Sequence, residues 1–174
     1  CYINSKFIGT APDAYYYLFK PEEPLKEVPL EETLWVEAAE RADSLVVELI
    51  NTSLGYTTFD NPNYNYSYAD MDGKTTFITR GAEIGASRGM ILVNSAGNEG
   101  SVSWKYMGAP SDAASVFSVG AVNASNVIAS FSSYGPTSDN RVKPDVLAQG
   151  SSSYVISVYN GLTRTGNGTS FSSP

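Results

Sequence analysis

Histidine is missing from this 174-residue chain altogether, and cysteine occurs once, as Cys1. The side chain that most often moves protons near neutral pH is therefore not supplied by these residues. A single cysteine excludes an intrachain disulfide and argues against a thiolate metal centre. No apolar run approaches the roughly 18 residues that a membrane span requires. Nor does a basic stretch lead into an apolar one in CYINSKFIGT, so no secretory leader is visible. Cys1 is read as a first residue created by cutting a longer chain rather than as a lipid-anchor cysteine. Basic residues are the scarcer charged class, 11 against 18 acidic, for a net charge of -7. At long range that charge opposes nucleic acid and anionic membrane surfaces as partners.

What is present belongs to a globular chain. Hydrophobic residues make up 42% and charged residues 17%, and the length suffices for one domain with a real core. No internal repeat or linker interrupts it, so residues 1–174 read as one unit. YYYLFK (15–20) is aromatic and β-prone, and a buried strand is expected there. The acidic stretch PEEPLKEVPLEE, with Glu22, Glu23, Glu27, Glu31 and Glu32, reads as a solvated loop. From Glu31 onward Leu34, Trp35, Ala38, Ala39, Ala42 and Leu45 recur at helical spacing. LVVELINTSLG then reads as a strand buried on both faces. After a long polar and aromatic loop, a second helix places Phe77, Ile78, Gly81, Ala82, Ile84 and Gly85 on one face and ends at Gly89. MILVNSAGNEG is a strand entering a glycine-rich turn, and VFSVGAVN, VIASFSS, DVLAQG and YVISVY are further short strands. Strands and helices alternating in this way imply an α/β fold on a parallel sheet.

Three stretches lie where α/β proteins carry function, past the carboxyl end of a strand or at the start of a helix. They are NTSLG (51–55), NSAGNEG (94–100) and NGTSFSSP (167–174). Together with GTAPDA (9–14), SVGAVNASNVIASFSSYGP (118–136) and KPDVLAQG (143–150), they resemble the subtilisin-like serine proteases in order and spacing, over nearly the whole chain. The resemblance implies a parallel-sheet, three-layer α/β sandwich, incomplete here, and an endopeptidase activity on peptides or proteins. It also implies a secreted, cell-surface or periplasmic setting and no required cofactor.

Matched residue by residue, the resemblance makes Ser170 the nucleophile at the start of a helix, whose N-terminus favours a developing oxyanion. Asn98 becomes the side-chain donor to that oxyanion. Ser53, Leu54 and Gly55 become the edge that pairs with an extended peptide. Ser95, Ala96 and Gly97 become the facing wall of the pocket for the residue before the cleaved bond. Read without the resemblance, Ser170 is an N-cap serine and Asn98 a turn asparagine with positive φ. The two walls are then strands ending in turns.

Two departures stand out. Gln149-Gly150 occupies a place where relatives often carry Pro-Gly, and the family's Asp and His motifs, which precede the GTAPDA-type block, are missing. Attack by a serine on a carbonyl needs a base and an oriented carboxylate behind it. The resemblance therefore implies an internal part of a peptidase domain, cut at both ends and inactive alone. Its Asp and His would come from the parent polypeptide or from a second chain. The alternative is a non-catalytic peptide-binding module, a pseudoprotease that kept the cleft. Among weaker signals, DMDGK (Asp70, Asp72, Gly73) reads as an ordinary turn rather than a calcium loop. Tyr64, Tyr66 and Tyr68 read as a packed loop rather than a cleft lining. The Asn-x-Ser/Thr tripeptides at Asn51, Asn65, Asn123 and Asn167 do not support glycosylation, because two of them lie inside the motifs.

Overall fold

The computed structural model describes residues 2–3 and 6–174, so Cys1 lies outside the described residues. A short antiparallel ribbon of β1 (Tyr2–Ile3) and β2 (Lys6–Phe7) precedes the first helix, α1 (Leu30–Ser44). Glu31 and Glu32 occupy the first turn of α1 and Arg41 the last, the arrangement the helix dipole favours. Both glutamates are buried, and each is satisfied by hydrogen bonds. The Glu31 carboxylate accepts from the backbone N–H groups of Glu23 (2.7 Å) and Val28 (3.2 Å), which ties the acidic loop to the helix start. That of Glu32 accepts from the Tyr66 hydroxyl at 2.8 Å and the Ile78 N–H at 3.3 Å. Burial holds the Glu32 carboxyl above its ordinary range. Asp112, also buried and also raised by burial, accepts from the Thr79 hydroxyl (2.7 Å) and the Gly73 N–H (2.8 Å). Loop and helix are thus stitched together through carboxylates whose lone pairs are used.

Four parallel strands stand side by side in chain order: β3 (Leu49–Thr52), β4 (Ile91–Ser95), β5 (Val116–Val122) and β6 (Val146–Gln149). Helix α2 (Phe77–Ser87) connects β3 to β4, and its first turn is capped by Thr76, whose hydroxyl accepts from the Thr79 N–H. α1 and α2 pack together over one face of the sheet, with Trp35, Ala39, Ala42, Ile78, Ala82, Leu92 and Val116 in a single core. Trp35 Nε1 donates to the Thr52 hydroxyl at 3.1 Å, which fixes α1 against the end of β3. An antiparallel hairpin of β7 (Ser153–Ile156) and β8 (Thr163–Gly166) follows. Among the described residues no helix is long and apolar enough to cross a membrane.

Several expectations are corrected. Residues 15–20 form no strand, and Tyr15 is 99% exposed. Among the described residues no neighbouring strand pairs with their backbone, and β propensity alone does not hold a strand. The strand at β3 is not buried on both faces, because the helices cover one side only; on the other, Leu49, Ile91 and Phe117 stay about half exposed. Phe77 and Ile84 of α2 point to solvent, while Ile78, Thr79, Ala82 and Gly85 are the buried set. VIASFSS makes only an isolated bridge, Ile128 to Val122, since the chain turns back there. YVISVY lies in the hairpin rather than in the parallel sheet.

In DMDGK, Asp72 accepts from the N–H groups of Lys74 and Thr75, and Asp70 accepts from Ser67, as side chains in turns do. Tyr66 is bonded to Glu32, and Tyr68 stacks on Tyr106 with centroids 4.1 Å apart, while Tyr64 is exposed.

Candidate active site

Strand register positions the site before any side chain is considered. Thr52 pairs with Asn94, Asn94 with Ser118, and Val122 with Gln149. The segments leaving β3, β4 and β6 therefore emerge along one edge of the sheet, outside the carboxyl ends of its strands. The turn before Ser170 is drawn to that edge by a hydrogen bond from the Gly168 N–H to the Gly150 carbonyl at 2.9 Å. A Cβ at residue 150 would lie 2.7 Å from the Gly168 oxygen, so this approach requires glycine whatever residue precedes it.

Ser170 sits half-buried in a single 3-10 turn, Thr169–Phe171. Among the described residues the expected α-helix is not formed: the Ser173 N–H bonds to the Thr169 carbonyl without a second turn. The Ser170 hydroxyl donates to the Ser53 carbonyl at 3.4 Å, and the Ser53 hydroxyl donates back to the Ser170 carbonyl at 3.3 Å. Two site residues separated by 117 positions are thereby brought into contact.

Asn98 reaches the same turn from β4. Its Oδ1 accepts from the Thr169 N–H at 2.9 Å and the Thr169 hydroxyl at 3.2 Å. The Thr169 hydroxyl oxygen in turn accepts from the Gly97 N–H at 3.1 Å. The left-handed conformation in this turn falls on Gly97 (φ 110°) and not on Asn98. Ser133 braces it from behind: its N–H donates to the Gly97 carbonyl, and its hydroxyl accepts from the Glu99 N–H and donates to the Glu99 carboxylate.

The two walls are joined by Asn94, which is 1% exposed. Its Nδ2 donates to the Leu54 carbonyl at 3.2 Å and to the Ser95 carbonyl at 2.8 Å. Ala96 is held in register by its N–H to the Val119 carbonyl. Asn94 thus ties Leu54, on the segment that follows β3, to Ser95 at the end of β4. Sequence reasoning gave no role to Asn94, Thr169 or Ser133. All three lie inside the quoted motifs, and for the first two a polar residue beside a strand end or turn is a usable signal. Ser133 reaches the site only through the fold. Among the described residues no group of acids, histidines or cysteines is placed to hold a metal ion.

This edge is the one the subtilisin-like pattern assigned to function, and residues 3–174 match the Subtilase family, Peptidase_S8. The chain belongs to the subtilase family. Subtilases are serine proteases, and their substrates are peptides. "Subtilisin-like protease SBT6.1" of Arabidopsis thaliana is 30% identical to this subtilase over 178 residues. That alignment takes in 98% of this chain and 15% of the plant protein. Among solved structures, the prenylagaramide maturation protease PagA superposes with a TM-score of 0.64 at 24% identity, over 88% of this chain and 48% of that one. The patellamide maturation protease PatA gives 0.64 at 24% identity, over 82% and 46%. These likenesses establish the α/β fold with its parallel sheet. The subtilase chain described here spans less than half of each solved relative and about a seventh of the plant one.

Proposed function

We propose that this subtilase chain carries the nucleophile and the oxyanion-stabilising side of an endopeptidase site. Ser170 is the attacking residue, and Asn98 is a donor to the oxyanion. The observation that supports this most directly is the double hydrogen bond from Thr169 to Asn98 Oδ1. With Oδ1 engaged on the turn that bears Ser170, the amide is oriented and Nδ2 remains as the donor end of the side chain. A donor fixed in advance stabilises developing charge without reorganising, which is the effect an oxyanion hole exploits.

In this reading an extended peptide pairs with Ser53, Leu54 and Gly55. The side chain before the cleaved bond enters between that edge and Ser95, Ala96 and Gly97. Ser170 Oγ attacks the carbonyl carbon while its proton passes to a base. The oxyanion accepts hydrogen bonds from Asn98 Nδ2 and the Ser170 N–H. Collapse breaks the C–N bond with return of the proton to the leaving amine, and water then releases the acyl group. No histidine occurs in the 174 residues, so the base and its carboxylate come from outside them, from the parent polypeptide or from a second chain. Alone, this chain does not turn over. A secreted or cell-surface setting goes with the family pattern.

Intact-mass spectrometry with a fluorophosphonate probe tests the reading. The chain alone is expected to stay unmodified. Supplied with a polypeptide carrying the Asp and His motifs, it gains one adduct, which Ser170→Ala abolishes. If the completed assembly cleaves peptides with Ser170→Ala as fast as with serine, the assignment fails. An assembly that binds peptide but never labels favours the non-catalytic binding module.

A further inference from the structure

The pairing of β3 with β4 runs as far as Thr52, which stands opposite Asn94. The backbone is tied again at Tyr56, whose N–H and carbonyl both bond Ala109, at 2.8 and 3.2 Å. Ser53, Leu54 and Gly55 connect these two anchors, and side chains take two of their carbonyls. That of Ser53 accepts from the Ser170 hydroxyl at 3.4 Å, and that of Leu54 accepts from Asn94 Nδ2 at 3.2 Å. Successive carbonyls thus reach different elements, the serine turn and β4. In an extended chain alternate carbonyls point to opposite sides. A Leu54 carbonyl held on β4 therefore leaves those of Ser53 and Gly55 on the side of the serine turn.

Asn94 holds that carbonyl in one way only. Its side chain is buried, and both Nδ2 protons are used, one on Leu54 and one on the Ser95 carbonyl at 2.8 Å. Two carbonyl partners decide which end of the amide is nitrogen, since a flipped group would set oxygen against oxygen. Its Oδ1 is buried with no hydrogen-bond partner among the described residues. An orphaned buried acceptor offsets part of what the two donated bonds contribute to folding. Asn94 therefore stabilises the fold less than its burial suggests. Its distinctive effect is geometric, because it fixes the 53–55 segment against the end of β4.

We propose that Asn94 is a positioning residue for the substrate, acting through the Leu54 carbonyl to turn the carbonyls of Ser53 and Gly55 toward an extended peptide. That role rests on the reading of Ser53, Leu54 and Gly55 as the peptide-binding edge. Asn94 itself touches no substrate atom. It determines whether the N–H groups of a bound peptide meet acceptors that are already aimed at them, and a preorganised edge spends less of its binding energy on ordering.

The test uses the completed assembly, with the base present, and two probes that phosphonylate Ser170. One is a tripeptidyl diphenyl phosphonate; the other is its ester counterpart, in which oxygen replaces the peptide N–H groups. Both carry the same reactive group, so the ratio of their rate constants reports the N–H bonds to the edge. Incomplete folding scales both rates and leaves that ratio unmoved. With Asn94 in place the amide probe is expected to react about tenfold faster or more, the worth of one or two hydrogen bonds. In Asn94→Leu, which keeps the volume and removes both donors, the two rates should come within about twofold of each other. Asn94→Ala, which cannot overpack the site, should do the same. A residue with only a structural role would slow both probes in proportion. If the amide probe keeps its full advantage in both variants, Asn94 does not position the edge, and the edge stands. If amide and ester react equally even with Asn94 in place, the edge is wrong and the role of Asn94 falls with it.

Discussion

Asn98 and Thr169 lie 71 residues apart, yet the Asn98 Oδ1 accepts both the backbone N–H and the hydroxyl of Thr169, at 2.9 and 3.2 Å. The same hydroxyl oxygen accepts the Gly97 N–H, so one threonine ties the β4 turn to the Ser170 turn through three hydrogen bonds. Thr169→Val keeps the shape and the backbone hydrogen bond to Asn98 but removes the two hydrogen bonds of the hydroxyl. The fold is expected to lose about 1–3 kcal/mol in urea unfolding, the usual result of leaving a buried group unpaired. Thr169→Ser should recover most of that loss. Fluorophosphonate labelling of the assembled site should slow by tenfold or more with valine and little with serine. Equal labelling rates in both variants would remove the orienting role from this residue.

Loss of the Asn98 amide should act on the chemical step. In an assembly with the base present, Asn98→Ala is expected to lower kcat by about 10²–10³, a range established on subtilisin itself, and to change KM little. A variant that raised KM at constant kcat would mark Asn98 as a ground-state binding residue instead.

Gly97 combines φ 110° with a tight neighbour, because a Cβ there would stand 2.8 Å from Ser133 Oγ. Gly97→Ala is expected to cost about 1–3 kcal/mol through backbone strain and overpacking. Chemical denaturation measures this directly. An unchanged midpoint would mean that the turn shifts freely and that its bracing by Ser133 is unimportant.

Glu32 gives a pH dependence with a definite sign. Burial raises its folded-state pKa above the ordinary value of 4.5, opposed in part by the hydrogen bonds from Tyr66 and Ile78. The native state then holds the proton more firmly than the unfolded chain, so this group's contribution falls as pH rises from about 4.5 through the raised value. In Glu32→Gln the unfolding free energy should decline less steeply over that window. Asp112 shifts in the same direction and is present in both proteins, so the difference between the two slopes reports Glu32. Identical slopes would show that Glu32 does not titrate there.

Much of this arrangement was legible in the chain because it rests on local rules. The spacing of Trp35, Ala39 and Ala42 marks a helix through contacts within a few residues. The stretches at β4, β5 and β6 are short, apolar and bounded by turns. The blocks around Ser170, Asn98 and Ser53 keep their order and spacing. Exposure of Phe77 and Ile84 was not legible, since both share the helical period of the buried residues and only the path of the sheet separates them. Sequence likewise could not distinguish residues 15–20 from a buried strand, because β propensity reads composition and does not show whether a partner strand stands alongside.

By itself, then, the sequence determined the family motifs, the helices, the succession of parallel strands and the absence of a histidine base. Each of these depends on residue identity or on neighbours close along the chain. Tertiary structure alone decided that Thr169 holds Asn98, that Asn94 spans the two walls, and that Ser133 braces the Gly97 turn. It also decided that the acidic loop is joined to Asp60. Those contacts join segments tens of residues apart, and a hydrogen bond between them forms only where strand register and helix packing deliver donor and acceptor to within about 3 Å.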